Sequence, residues 1–128
     1  DLMRNIIKTD KAPAAIGTYI QAIETNGLLF TSGQIGIDPE TGKMVEGGIK
    51  SQVNRVLENI NAILSETGLN KEAIIKLTVF LKDFNDFSTV NDVFKEFFGE
   101  KEFPARTTVE VSELPLGALI EIDCIASR

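Results

Sequence analysis

The sequence predicts an α+β fold in which a mixed six-stranded sheet carries two amphipathic helices. Residues 103–124 alternate apolar and polar side chains with period two in two separate runs, which is the signal of two β-strands. Asn26-Gly27 lies between two further apolar runs and predicts a tight hairpin, because both residues tolerate positive φ. Two other stretches repeat their apolar residues every three or four positions, which is the helical period.

Three strands are predicted in the first third of the chain. Residues 4–9 form the first strand, and residues 10–17, with a proline and three alanines, form a loop. The hairpin joins a second strand at 19–25 to a third at 28–34, which is therefore antiparallel to it. Residues 38–48 contain one proline and three glycines, and we expect them to form a loop.

A first helix is predicted from residue 49 up to Gly68. Its apolar residues recur at spacings of three and four along one stripe, namely Ile49, Val53, Val56, Leu57, Ile60, Ile63 and Leu64. A fourth strand follows at 74–81, where a run of apolar residues is bounded by polar segments.

A second helix is predicted at 87–98. One of its faces carries Val90, Val93, Phe94 and Phe97. Asp86 or Ser88 is expected to cap its beginning, and Gly99 is expected to end it. The middle of the chain thus alternates strand, helix, strand, helix and strand, a pattern typical of right-handed crossovers between parallel strands.

The fourth and last strands carry apolar side chains on both faces. Leu77 and Phe80 lie on opposite faces of the fourth strand, and Ile122 and Ile125 lie on opposite faces of the last one. Two amphipathic helices cannot cover both faces of such a sheet, and a small monomer rarely leaves so large an apolar area in water. We therefore expect the uncovered face to be buried by further copies of the chain.

Composition limits the classes of function. A chain of 128 residues with 43% hydrophobic residues has the size of one domain with its own core, and we expect a single domain over 1–128. The net charge of −6, without a basic cluster, disfavours nucleic-acid binding. The chain has no histidine, which removes the commonest general base and metal ligand, so we expect neither a His-based triad nor a metal site.

Cys124 is the only cysteine, so no intrachain disulfide can form, and we expect it to be a small core residue. An acidic, disulfide-free chain fits the reducing cytosol, and we expect a cytoplasmic protein. No signal peptide is visible, and no apolar run approaches the length of a transmembrane helix. Asp1 and Leu2 precede Met3, which we expect to be the natural start.

Arg106 and Glu121 are the two residues whose chemistry stands out, because each is placed in an apolar strand. One explanation is that both lie on the solvated face of a half-covered sheet, where Arg106 forms an ion pair with Glu110 or Asp123. The other is a pocket in which Arg106 binds an anionic group of a substrate and Glu121 acts on its chemistry.

The ordered motifs of the chain closely resemble the RidA family, also called YjgF or L-PSP. The resemblance covers nearly the whole chain. It is carried by the runs APAAIGTY at 12–19, FTSGQI at 30–35, KLTVFLKD at 76–83, FPARTTVEV at 103–111, LP at 114–115 and IEIDCIA at 120–126.

The resemblance implies a chorismate-mutase-like fold, with a mixed six-stranded sheet, two helices on one face, and a last strand inserted between earlier ones. It also implies a homotrimer whose active sites lie between subunits. Proteins of this family hydrolyse reactive enamines and imines. The implied reaction converts 2-iminobutanoate and 2-iminopropanoate, formed by dehydratases acting on threonine and serine, to 2-oxo acids and ammonia, and it needs no cofactor.

The resemblance also assigns residue roles. Arg106 would bind the substrate carboxylate, and Glu121 would position or activate the hydrolytic water, which suits a chain that lacks histidine. The other implied substrate-binding residues are Tyr19, Ser32, Gly33, Asn91 and Thr108. Ser32 and Gly33 would act through their main chain, and Thr108 through its backbone amide.

The chain departs from the family pattern at two positions. Thr108 stands where many members have cysteine, and Thr18 stands where many have proline. Only the backbone amide at position 108 is expected to contact substrate, so we expect the first change to be tolerated.

Two other functions stay open on the sequence alone. The same carboxylate pocket could serve a binding or regulatory module that does not turn over its ligand, although this chain keeps both Arg106 and Glu121. A ribonuclease or translation inhibitor is the third possibility, since that activity is also ascribed to the family. The acidic composition and the lack of histidine argue against it.

Overall fold

The computed structural model describes residues 4–99 and 102–128, so the expected start at Met3 lies outside the described residues. This described part contains two helices, a six-stranded mixed sheet and a small two-stranded ribbon, which confirms the predicted fold class. In chain order the elements are β1 (Asn5–Ile7), β2 (Ala22–Thr25), β3 (Leu28–Thr31), β4 (Ile37–Asp38), β5 (Lys43–Met44), α1 (Gly48–Glu66), β6 (Ile74–Leu81), α2 (Phe87–Phe98), β7 (Ala105–Glu110) and β8 (Ile120–Ser127).

The strands of the main sheet are ordered β1-β2-β3-β8-β6-β7. β6 and β7 are parallel and are joined through α2, whereas the other neighbouring strands are antiparallel. The last strand, β8, lies between β3 and β6, as the family resemblance implies. β8 is therefore central in the sheet, and β7 is at its edge.

The hairpin between β2 and β3 has the predicted two-residue turn. Asn26 and Gly27 both have positive φ, of 52° and 77°, which is the geometry of a type I′ turn. β3 ends at Thr31 rather than at the predicted residue 34. Pairing resumes at Gln34, whose backbone exchanges two hydrogen bonds with Ile122, at 2.8 and 3.0 Å. The strand is thus interrupted at residues 32–33.

β2 begins at Ala22 rather than at residue 19, because the side chain of Gln21 holds the preceding loop. Its amide oxygen accepts from the backbone N–H of Thr9 at 2.7 Å, and its amide nitrogen donates to the carbonyls of Thr9 and Pro13 at 2.9 and 2.8 Å. This buried glutamine replaces strand pairing with side-chain hydrogen bonds.

Two local predictions were wrong. The segment 38–48 is not entirely loop, because β4 and β5 form a short ribbon closed by a turn in which the N–H of Gly42 donates to the carbonyl of Asp38. Asp86 stands at the N-cap position of α2, but neither its side chain nor that of Ser88 caps the helix. A 3₁₀ turn at 84–86 leads directly into α2, and the carboxylate of Asp83 caps that turn instead.

Both helices pack on one face of the sheet and share one core with it. The buried core residues of α1 are Val53, Val56, Leu57, Ile60, Ile63 and Leu64, and those of α2 are Val90, Val93 and Phe94. Facing them are Leu77, Val79 and Leu81 of β6 and the four buried residues of β8, namely Ile120, Ile122, Cys124 and Ala126. Each large aliphatic side chain buried in this way contributes about 1.5–3 kcal/mol.

Cys124 is a core residue, as predicted, and burial raises the pKa of its thiol to about 12. A thiol with so high a pKa is not a nucleophile at neutral pH.

The opposite face of the sheet has no helix over it. Phe30 is 41% exposed and Val109 is 38% exposed on this face, and they flank the half-buried Ile125 and Phe80. We call this side of the sheet the open face. It is the apolar surface expected from the sequence, and a further copy of the chain is our proposal for what covers it.

Candidate functional site

Glu121 lies on the open face, next to the interruption between β3 and Gln34. In β8 the residues at even positions are buried under the helices, while Glu121 and Asp123 alternate with them and point the other way. The carboxylate of Glu121 lies directly over Gly33, and a Cβ placed on Gly33 would overlap Oε2 of Glu121. Gly33 is therefore required for this close approach of a side chain to the backbone.

Four of the predicted site residues meet around this carboxylate. Tyr19, Ser32, Gly33 and Glu121 line one cavity of about 680 Å³, which we call the Glu121 cavity. Tyr19 is 51% exposed, so its phenol faces solvent at the cavity wall. The cavity combines a hydroxyl, a carboxylate and exposed backbone, which are the groups needed to orient a water molecule.

The Ser32 hydroxyl has a structural partner. It donates to the carbonyl of Ile20, and the backbone N–H of Ser32 donates to the carbonyl of Gln21 at 2.8 Å. These two bonds fix the segment that carries Tyr19 against the end of β3. Ser32 thus shapes the wall of the Glu121 cavity with its side chain.

The environment of Glu121 raises the pKa of its carboxyl group. Burial is the larger cause, and the negative charge of Asp123 adds to it. Burial also raises the pKa of Asp123, against a hydrogen bond from Thr78 and the charge of Lys76, which lower it. A carboxyl with a raised pKa is better suited to take and return a proton near neutral pH.

Asp123 also lines the Glu121 cavity, and sequence reasoning considered it only as an ion-pair partner. The signal for its position was available. It follows Glu121 by two residues in a strand, so the two side chains share a face, about 6.4–6.8 Å apart along the strand.

Arg106 lies on the other face of the sheet. It pairs in register with the buried Leu77, so its side chain points toward the helices. Its guanidinium group lies over the rings of Phe87 and Phe94 of α2, at 5.3 Å from each centroid. Cation–π contacts of this kind hold the planar group in place while its N–H donors stay directed outward.

The charge of Arg106 is not matched by the carboxylates considered from the sequence. Among residues 4–99 and 102–128, no carboxylate lies within ion-pair distance of its guanidinium. Glu110 instead accepts a hydrogen bond from the backbone N–H of Phe84 at 2.8 Å. Burial lowers the pKa of Arg106 from its ordinary value of 12.5, and an arginine stays charged at neutral pH nonetheless.

Asn91 of α2 joins Arg106 in a second cavity of about 420 Å³, which we call the Arg106 cavity. Phe94 and Phe103 form part of its wall, so it combines a cation and an amide with aromatic surface. Sequence reasoning assigned Phe94 to the core and did not foresee its contact with Arg106. The seven-residue spacing of Phe87 and Phe94, which places both on one helix face, was the available signal.

Thr108 shares the face of Arg106, two residues further along β7. It pairs in register with the buried Val79, and its hydroxyl is buried without a hydrogen-bond partner in the described part of the chain. Thr108 does not line the Arg106 cavity.

One chain therefore presents two half-sites. The Glu121 cavity contains the polar groups suited to activating water, and the Arg106 cavity contains the cation suited to binding an anion. They lie on opposite faces of the same sheet, so a single copy does not bring Arg106 and Glu121 together.

In residues 4–99 and 102–128, no group of three or more His, Cys, Asp or Glu side chains is arranged to hold a metal ion. Neither helix of that part of the chain combines the length and apolar character needed to cross a membrane.

Comparisons with known proteins find relatives that match nearly the whole chain. The sequence model of a family described as Endoribonuclease L-PSP matches residues 9–128. A RutC family protein of Pyrococcus abyssi is 52% identical over 127 residues, which cover 99% of each chain. A protein of Bos taurus named 2-iminobutanoate/2-iminopropanoate deaminase is 47% identical over 125 residues, covering 98% of this chain and 90% of that one. The crystal structure of TdcF from E. coli with bound serine superposes with a TM-score of 0.92 at 44% identity, over 97% of this chain and 98% of that one.

Proposed function

Because the chain belongs to the L-PSP family, which is also called RidA or YjgF, we propose that it is an imine deaminase. Its substrates would be 2-iminobutanoate and 2-iminopropanoate, or the enamines in equilibrium with them, and its products 2-oxo acids and ammonia. The name of the bovine relative supports this reaction. The observation that carries the proposal is the pair of half-sites: a guanidinium without a carboxylate partner among the described residues, and a carboxylate whose pKa is raised.

A homotrimer would join the two half-sites. In it, the open face of each sheet is covered by neighbouring copies, and the Arg106 cavity of one copy meets the Glu121 cavity of the next. The positions of Arg106 and Glu121 on opposite faces support this arrangement, as does the exposed apolar surface around Phe30 and Val109. A two-copy site also explains why neither cavity alone contains both a cation and the water-activating carboxylate.

In this proposal the Arg106 cavity binds the substrate carboxylate. The guanidinium offers two parallel N–H donors that match the two oxygens of a carboxylate. Phe87 and Phe94 hold the guanidinium plane in place, and Asn91 contributes a further hydrogen bond from the same cavity. Serine, which is bound in the related E. coli protein, carries the same carboxylate next to a nitrogen-bearing carbon.

Glu121 then supplies the proton transfers of hydrolysis. Its carboxylate accepts a proton from water as the oxygen adds to C2 of the protonated imine, and the C=N electron pair moves to nitrogen. Glu121 returns the proton to the amino group of this tetrahedral intermediate. The C–N bond breaks and ammonia leaves, while the C–OH proton passes to the Glu121 carboxylate as the C=O bond of the 2-oxo acid forms. Transfer of that proton to ammonia gives ammonium and restores the carboxylate.

The other groups of the Glu121 cavity orient these steps. The main chain at Gly33 and the phenol of Tyr19 would hydrogen-bond the water or the developing oxygen, and both residues line the cavity of Glu121. Burial, with the charge of Asp123 adding to it, keeps the pKa of Glu121 raised, which makes its carboxylate a stronger base toward the attacking water.

Ribonuclease activity, which the family description names, has less support in this chain. The net charge is −6, and the Glu121 cavity presents two carboxylates, which would repel the phosphates of RNA. A binding module without turnover would use the same cavities but would not need a carboxylate of raised pKa.

The proposed function is tested by an imine-hydrolysis assay run beside an RNA-cleavage assay. An L-amino-acid oxidase generates the imines in place from alanine and 2-aminobutanoate, and release of 2-oxo acid is followed with and without the protein. We expect release well above the spontaneous rate and no cleavage of RNA. Release at the spontaneous rate, with RNA cleaved or intact, would contradict the proposal.

A further inference from the structure

Leu116 has a backbone conformation that a leucine seldom adopts. Its φ of 55° and ψ of 30° lie in the left-handed region, which in the described residues is otherwise occupied only by glycines and Asn26. Its side chain is 77% exposed, so burial of that side chain within the chain does not offset the strain. A strained residue at the surface of a site is a signal of function rather than of packing.

The loop that carries Leu116 is held firmly on both sides. Before it, the N–H of Val111 donates to the carbonyl of Leu81 at 2.8 Å. After it, the N–H of Ala118 donates to the carbonyl of Pro115 at 3.0 Å, and the N–H of Leu119 donates to the buried side chain of Gln52 at 2.8 Å. The scaffold therefore imposes the position of Leu116.

Leu116 and Ile16 line the Glu121 cavity, although they come from distant segments of the chain. Ile16 is 85% exposed and lies in the loop before β2. The same cavity also contains polar residues, among them Ser32 and Asp123. Ile16 and Leu116 are the most exposed large aliphatic residues of this cavity, and we call the pair the aliphatic rim.

The chemistry of a 2-imino acid indicates which part of the substrate contacts the aliphatic rim. C2 of the substrate carries three substituents: a carboxylate, the imine nitrogen and a hydrocarbon side chain. On the proposed function, Arg106 of one copy binds the carboxylate, and Glu121 acts at C2 and the nitrogen. The hydrocarbon is the only substituent left, and aliphatic surface is its favourable partner.

We propose that Leu116, together with Ile16, contacts the side chain of the substrate and selects imines whose aliphatic side chain is longer than methyl. The inference rests on the proposed function and adds a specificity determinant to it. Each further methylene placed against the rim is expected to raise kcat/KM about fourfold, which corresponds to about 0.8 kcal/mol per buried CH₂.

The test uses Leu116→Asn and Leu116→Gly, since asparagine and glycine both adopt the left-handed conformation and preserve the loop. For each protein, kcat/KM is measured on the imines that an L-amino-acid oxidase forms from alanine, 2-aminobutanoate and leucine. We expect the ratio of kcat/KM on the leucine-derived imine to kcat/KM on the alanine-derived imine to fall at least fivefold in both variants. Ile16→Asn should lower the same ratio.

A ratio is insensitive to the fraction of protein that is folded, because misfolding lowers the rate on every substrate equally. Ile75→Asn is the matched control, since Ile75 is also an exposed aliphatic residue but lines neither the Glu121 cavity nor the Arg106 cavity. It should leave the ratio unchanged. Molecular mass by light scattering is measured for all variants.

Three results would overturn the inference while leaving the proposed function intact. They are an unchanged ratio in both Leu116 variants, a wild type that prefers the alanine-derived imine, and an equal loss on all substrates together with a changed oligomeric mass. The last would identify Leu116 as a contact between copies. If the wild type hydrolyses no imine at all, the proposed function fails first.

Discussion

Arg106 and Glu121 project from opposite faces of one sheet, Arg106 toward the helices and Glu121 toward the open face. Each lines a cavity of its own. The guanidinium of Arg106 lies over two aromatic rings, and the carboxylate of Glu121 lies beside a glycine and a second carboxylate. On the proposed function both groups act on one small substrate, and their positions on opposite faces are the reason for placing the proposed site between copies of the chain.

Arg106→Ala should lower kcat/KM for 2-iminobutanoate by at least ten- to a hundredfold, because a hydrogen bond to a charged group contributes roughly 1.5–3 kcal/mol. The loss should be larger if the guanidinium also orients the substrate. Stability should change little, since the group is exposed and each cation–π contact at such a site contributes about 0.5–1 kcal/mol. Arg106→Lys, which keeps the charge but not the two-pronged donor geometry, is the control and should be intermediate. Unaltered turnover in the alanine variant would remove Arg106 from the site.

Glu121→Gln should still bind 2-oxobutanoate, because the amide keeps the shape and Arg106 still holds the carboxylate. It should lose about a hundred- to ten-thousandfold in turnover, since an amide cannot cycle a proton. Calorimetric binding of 2-oxobutanoate beside initial rates of imine hydrolysis measures both properties. Turnover within a few-fold of wild type would assign the proton transfer to Tyr19 or to bulk water.

The same variant should also be more stable than wild type at neutral pH. The folded-state pKa of Glu121 is raised above its ordinary value of 4.5, so the native state binds this proton more tightly than the unfolded state. Stability then falls as pH rises from about 4.5 through the folded pKa, and the ionised group destabilises the native state above it. Thermal unfolding at neutral pH should show a higher midpoint for Glu121→Gln, and a lower midpoint would contradict the assigned cause of the raised pKa.

Gly33→Ala should inactivate the protein without unfolding it. The new methyl group would occupy the position of the Glu121 carboxylate, which is the end of a side chain that can rotate away. A displacement of about 1 Å at a catalytic group can cost on the order of a hundredfold in rate, while the cost in stability should be small. Activity and thermal unfolding midpoint are the two readouts.

Two comparisons make this prediction specific. Gly36→Ala should instead lower the thermal unfolding midpoint and affect activity less. A Cβ at Gly36 would lie 3.0 Å from the backbone of Gln52 in α1, so the helix would have to move. In the Glu121→Gln background, Gly33→Ala should reduce the remaining activity little, since both changes act on the same carboxylate. Additive losses in the double variant would show that Gly33 has a role independent of Glu121.

Asp123→Asn should shift the acid limb of the pH profile of kcat/KM toward lower pH. Glu121 acts as a base when it is ionised, so activity falls as pH drops through its folded-state pKa. The charge of Asp123 raises that pKa, and its removal lowers it, while the larger contribution of burial remains. Lys76, which also faces Asp123, is unchanged in this variant. A limb that stays in place or moves to higher pH would exclude the coupling between the two carboxylates.

The sequence predicted those elements whose signals are local. β6 and α2 occur at the predicted residues, because apolar periodicity and Gly99 mark their bounds. The Asn26-Gly27 turn follows directly from the tolerance of both residues for positive φ. The β4–β5 ribbon was missed, since two-residue strands leave no periodic pattern.

The face on which each site residue lies could not be predicted, because it depends on register between distant strands. Period two shows that Glu121 and Asp123 share a face, but not which face the helices cover. That relation follows from the pairing of Arg106 with Leu77 and of Glu121 with Phe80, which no local pattern encodes. The hydrogen bonds from the Gln21 side chain to the preceding loop could not be predicted either, because a glutamine in an apolar run gives no sign of its partners.

The most direct test of a site shared between copies is complementation between two inactive variants. Arg106→Ala and Glu121→Gln chains are unfolded, mixed in equal amounts and refolded, and light scattering then checks for three times the 14.0 kDa of one chain. Sites that take Arg106 from one variant and Glu121 from the other are intact, and random assembly makes about a quarter of all sites intact. We predict recovery of about a quarter of wild-type imine hydrolysis in the mixture. Activity that stays at the level of the separate variants, in a mixture of trimeric mass, would contradict a site built from two copies of the chain.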